Sequence, residues 1–183
     1  TTFWRRAAVR WPFNHLYELD PLQVFFVKHG YAVVLADVRG TGASFGSRLY
    51  PWHQTELDDA AELVKWIGKR PWCDGNIGAF GAGYEGSAAE LLLVHGLPEV
   101  RAVMPMYGEF DTYTEIAFPG GILNERFVRK WAEFTRLMAG NTVPKEVGHV
   151  ARLFATGVSP VTVEGGGALL AQALKEHARN VDL

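Results

Sequence analysis

The chain has 183 residues, 48% of them hydrophobic and 21% charged. That is enough for one domain with a real core, and the composition excludes disorder. A formal net charge of −2 offers neither a nucleic-acid surface nor a basic membrane patch. Cys73 is the single cysteine, so an internal disulfide and a cysteine-built metal cluster are both excluded. A lone thiol fits a reducing, cytoplasmic compartment.

No apolar run approaches the ~18 residues of a membrane-spanning helix, and no basic start leads into an apolar signal segment. The sequence opens on Thr1-Thr2-Phe3-Trp4-Arg5 without methionine, so it reads as a processed product or a fragment.

In chain order, Asp20-Pro21 followed by an apolar stretch to Gly30 predicts a short helix. Asp20 caps it, Pro21 fits its first position and Gly30 closes it with positive φ. His29 then belongs to the last turn, a structural place for a cation. Tyr31 to Asp37 is a continuous apolar run of strand length, the mark of a strand buried on both faces. It feeds the glycine-rich loop Asp37-Val38-Arg39-Gly40-Thr41-Gly42.

Thr55-Glu56-Leu57-Asp58 resembles a capping box with Asp in place of Glu. Leu57, Ala60, Ala61, Val64 and Ile67 follow at helical spacing. A second buried strand, Ile77 to Phe80, leads into Gly81-Ala82-Gly83-Tyr84-Glu85-Gly86 and an apolar helix through Leu93. A third strand spans Val100 to Met106, and helical segments follow around 122–139 and 167–179. This alternation predicts an α/β fold, a mostly parallel sheet flanked by helices. Residues 1–118 form its core and residues 119–183 a helical, cap-like segment.

The glycine motif has two readings. Taken as GxGxxG between a strand and a helix, it is a dinucleotide fingerprint, with Glu109 near the place of the ribose-binding acid. Taken as Gly-x-Nu-x-Gly, it is a nucleophile elbow with Gly83 at the apex, after which the Tyr84 backbone N–H points into an oxyanion site. The six residues alone do not separate the two.

The flanks do. Gly30-Tyr31-Ala32-Val33-Val34, Asp37 to Gly46, Trp66-Ile67, Pro71-Trp72-Cys73-Asp74-Gly75-Asn76-Ile77-Gly78, Ala88-Ala89-Glu90-Leu91-Leu92, Met104-Pro105-Met106-Tyr107 and Phe118-Pro119-Gly120-Gly121-Ile122 stand in this order. The set, over roughly residues 1–140, resembles the cocaine-esterase and X-prolyl dipeptidyl-peptidase family of α/β-hydrolases. The resemblance implies serine-dependent hydrolysis of esters or amides, without metal or cofactor, behind a helical cap.

Two positions depart from that family, so the chain reads as a degenerate or incomplete hydrolase, or alternatively as a non-catalytic pseudoenzyme that serves binding or assembly. Its elbow reads Gly-x-Ser-Tyr-x-Gly, whereas Gly83 has no side chain to attack with. Its oxyanion tyrosine, on an early strand, corresponds to Phe3, and losing such a donor costs ~100- to 1000-fold in rate. Ser87, one helical turn after the apex, is the alternative nucleophile, although a hydroxyl there more naturally packs or bonds to backbone.

The resemblance places the acid, the base and a following β-sandwich after the cap. His95, His149 and His177 lack the context of the family's histidine, and His95 suits a helix end. Asp37 and Arg39 either lock their loop or line a substrate pocket with Tyr107 and Glu109. Glu109, Asp111 and Glu115 form an acidic cluster, either solvated or suited to a cationic group. A shortened sheet leaves an edge to be covered by a second copy or a partner chain.

Overall fold

The computed structural model describes residues 21–142, 158 and 167–181. Residues 50–131 make one compact unit, and residues 21–49, 132–142, 158 and 167–181 make the described part of a second.

In the first unit, α2 (Gln54–Gly68) leads to β1 (Ile77–Ala82), α3 (Tyr84–Leu91) and β2 (Val100–Met106). The two strands pair in parallel, with Ile77 beside Val100 and Ala82 beside Met106, and the register shifts between Ile77 and Gly78. A parallel pair requires a crossover, which α3 and a 3₁₀ turn at Leu92–His95 provide. Gly96 closes that turn in the left-handed region, with φ 56°.

The core of this unit is narrow. Leu57, Ala61 and Val64, at spacings of four and three, turn one stripe of α2 inward, and Ala89 and Leu92 are buried with them. The side chain at the helix start belongs to His53, whose imidazole accepts from the Thr55 N–H. The expected capping box therefore gives way to a cap two residues earlier. Glu56, read as part of that box, is instead buried.

Both predicted strands of this unit are present, but β2 exposes Arg101, Ala102, Met104 and Pro105. Continuous apolar runs of this kind belong to sheets covered on both faces. Among the described residues the sheet has two strands, too few to bury both faces of β2. After β2 come a π-helical turn at Tyr113–Ala117, a 3₁₀ turn at Pro119–Gly121 and α4 (Glu125–Ala139).

The second unit contains α1 (Pro21–Lys28) and α5 (Gly167–His177). Gly30 has φ 87°, as its place after α1 predicts, and His29 Nδ1 lies 2.7 Å from the Phe25 carbonyl oxygen in the last turn. The run from Tyr31 to Asp37 is a correction: it is no strand, and Tyr31 and Leu35 stand more than 60% exposed. A strand exists only through its ladder partners. No described strand pairs with this run. Asp20 and Phe3 lie outside the described residues, so the cap of α1 and the early strand do too.

Candidate active site

At the end of β1 the chain reverses into α3 through Gly83, with φ 60° and ψ −123°. L-residues rarely occupy this backbone region, and one held there carries roughly 1–3 kcal/mol of strain. The Gly83 N–H donates to the Met106 carbonyl at the end of β2 (2.8 Å), and the Gly83 carbonyl accepts from the Ser87 N–H (3.0 Å). The apex is thus tied to both the neighbouring strand and the helix it starts. Among the described residues a Cβ built on Gly83 meets nothing within 4 Å, so a side chain there would enter space that they leave open.

The flanking glycines have a different reason. A Cβ on Gly86 would come within 2.6 Å of the Met106 carbonyl oxygen, and one on Gly81 would run into the Glu85 side chain and backbone. Close approach of α3 to β1 and β2 requires glycine at both positions.

Tyr84, the first residue of α3, is fixed from behind. Its hydroxyl sits 2.7 and 2.9 Å from the two carboxylate oxygens of Glu56, and its proton donates into that carboxylate. The Trp52 backbone N–H donates to Glu56 Oε2 (3.1 Å), and the indole N–H donates to the Tyr84 carbonyl (3.3 Å). The Trp52 and Tyr84 rings stack with centroids 4.8 Å apart. Trp52 holds a positive φ of 57° to do so. Glu56 is 6% exposed, and a buried carboxylate is tolerated because donors surround it.

Ser87 is 4% exposed, and its hydroxyl lies 3.1 Å from Glu109 Oε2 and 3.4 Å from the Gly83 carbonyl. Burial removes it from any substrate, and its proton is committed to one of two acceptors. Glu109 thereby serves the helix start. Tyr107, just past β2, is 90% exposed with φ 53°.

The rest of the acidic cluster caps a local turn. Asp111 accepts from the Thr114 hydroxyl (2.8 Å) and the Tyr113 N–H (2.9 Å), and Glu115 accepts from the Phe110 N–H (3.0 Å). The Thr114 hydroxyl, then the Tyr113 N–H, hold the Asp111 carboxyl below its usual range. His95 ends its 3₁₀ turn, with Nε2 3.8 Å from Asp58 Oδ1.

Asp37 and Arg39 belong to the second unit. Asp37 Oδ2 accepts from the Ala43 N–H (3.2 Å) and its carbonyl from the Ser44 hydroxyl (2.8 Å), so Asp37 locks its own loop. Arg39 is half-buried on the same loop. His149 lies outside the described residues. Among the described residues no group of three or more His, Cys, Asp or Glu side chains could hold a metal ion.

Sequence reading missed the Glu56–Tyr84–Trp52 assembly. Its only trace is an acid beside Leu57, the first buried apolar position of α2. No local pattern ties that acid to an aromatic residue 28 positions on.

A glycine-framed reversal from a parallel strand into a helix, with the next strand bonded to the apex, defines an α/β-hydrolase-like unit. The chain belongs to the X-Pro dipeptidyl-peptidase (S15) family, whose sequence pattern matches residues 2–180. It is 41% identical, over its whole length, to a protein described as a serine esterase in Mycobacterium tuberculosis, and covers 31% of that relative. It is 36% identical to the cocaine esterase of a Rhodococcus species over 58% of this chain and 18% of the esterase. The chain thus spans about a third or less of the length of these relatives. A CocE/NonD family hydrolase from Staphylococcus aureus superposes with a TM-score of 0.53 and 28% identity, over 63% of this chain and 20% of that one.

Proposed function

We propose that residues 81–86 are the nucleophile elbow of an ester- or amide-bond hydrolase whose apex has lost its side chain. The observation that carries this reading is the Gly83 backbone, φ 60° and ψ −123°, between β1 and α3, with no described residue within 4 Å of where a Cβ would project. Glycine adopts this backbone freely, whereas a residue with a side chain at the apex would carry strain. In the proposal the Tyr84 backbone N–H receives the carbonyl oxygen of a small ester or amide, and Glu56 and Trp52 hold Tyr84 in place for it. No hydroxyl at the apex attacks the carbonyl carbon, so the elbow binds without forming an acyl-enzyme.

Family membership favours this reading over the dinucleotide fingerprint, and Glu109 is already engaged by Ser87. Lack of NAD binding by calorimetry is the expected result for that alternative. Ser87 is a poor substitute nucleophile because it is buried and bonded.

The test is hydrolysis of a short-chain aryl ester by the purified chain beside its Ser87→Ala variant. The proposal expects both to stay at the buffer rate. Turnover by the parent that disappears in Ser87→Ala would instead establish a relocated nucleophile.

A further inference from the structure

One buried histidine joins three segments of the second unit. His177, the last residue of α5, is 3% exposed. Its Nδ1 lies 2.9 Å from the Ala139 carbonyl oxygen and its Nε2 lies 2.7 Å from the Ser44 carbonyl oxygen. Both partners are backbone carbonyls, which only accept. A neutral imidazole carries one N–H, so it satisfies one carbonyl and turns a lone pair on the other, whereas imidazolium donates to both. Leaving either carbonyl opposed by a lone pair costs about as much as a lost hydrogen bond.

The position of these groups in the helices points the same way. Ala139 ends α4 and His177 ends α5, so the imidazole stands where the carbonyl ends of two helices converge. Each end carries partial negative charge that favours a cation.

The neighbouring bonds show what the histidine secures. Gly46 N–H donates to Glu176 Oε2 (2.7 Å), Arg48 N–H to Asn180 Oδ1 (2.9 Å), Asn180 Nδ2 to the Gly40 carbonyl (2.8 Å) and Val181 N–H to the Arg48 carbonyl (3.1 Å). The end of α5 therefore clamps the whole glycine-rich loop from Gly40 to Arg48.

We infer that His177 is a proton-dependent latch, fastening the loop of residues 40–48 to the ends of α4 and α5 when its ring carries two protons. The charged and titratable groups on the surrounding elements are Lys175, Glu176 and Arg179 on and after α5, Asp37, Arg39 and Arg48 on the loop, and Glu133 and Arg136 on α4. Of these, Glu176 titrates on the acid side. The Gly46 N–H, then the Gln172 side chain, hold its carboxyl below the usual range, and the charges of Arg179 and His177 add to this. Its bond to Gly46 is therefore lost only as pH falls through that lowered value. With two N–H groups the His177 ring serves both carbonyls at once, and with one it serves only one of them.

The test is NMR on the full chain with ¹⁵N-labelled histidine, reading the ring nitrogens of His177 and the exchange protection of the Gly46 and Arg48 amides against pH. The inference expects both ring nitrogens protonated wherever the amides are protected. If the closed loop holds a ring proton that the open loop gives up, loop opening should rise with pH by at most about tenfold per unit, the limit for one linked proton. In His177→Gln, which cannot change charge, that slope should vanish. The exposed His29, bonded within its own helix, serves as an internal reference. An unprotonated His177 ring nitrogen alongside full amide protection would overturn the inference, as would the same slope in His177→Gln. The ring reading decides the matter even where the variant does not fold.

Discussion

Three glycines in six residues serve two physical ends. Gly83 supplies a backbone conformation, and Gly81 and Gly86 supply proximity. Substitutions at the three positions should therefore differ in kind. Gly83→Ala should fold with a loss of about 1–3 kcal/mol, the cost of the strained conformation alone, read from urea unfolding. Gly86→Ala forces the backbones of α3 and β2 apart and should cost as much or more, with altered amide shifts along β2. Equal, negligible losses at both would show that the turn is not held as described. Tyr84→Phe leaves the buried Glu56 carboxylate short of a donor and should cost about 1–3 kcal/mol, while Glu56→Gln, which keeps an acceptor, should cost less.

At the scale of elements, periodicity was a good guide where partners lie close in sequence. The α2 stripe, β1, β2, α4 and α5 are all legible, because helix faces and the crossover between neighbouring parallel strands follow from local order. The run from Tyr31 to Asp37 was not, because an apolar run becomes a strand only when other strands flank it, and no described strand pairs with it. The cap of α2 shifted to His53 because an imidazole nitrogen took the role expected of the Thr55 hydroxyl. Likewise the Gly83 apex could be read from sequence, but not the Glu56 and Trp52 support behind it, which depends on contacts about thirty residues apart. His177 carried no motif at all. Its role comes from two carbonyls more than thirty and more than a hundred residues away.

At the scale of the molecule, the two-stranded sheet of the described residues leaves edges that invite pairing. Phe110, Tyr107 and Ile122 expose more than three-quarters of their surfaces in the same unit. The chain taken alone is therefore expected to self-associate or to bind a covering chain. Light scattering should give a mass above the 20.3 kDa monomer, and a monodisperse monomer would count against this expectation.

The account stands most directly on the vacancy at Gly83. Mass spectrometry after exposure to an activated aryl acetate should find no acyl group on the elbow of the parent chain. Gly83→Ser, with no general base established beside the new hydroxyl, should gain an acyl group at position 83 slowly but above the parent. An acylated elbow in the parent, or acylation of Gly83→Ser at any other residue, would contradict the reading of residues 81–86 as a nucleophile elbow with an empty apex.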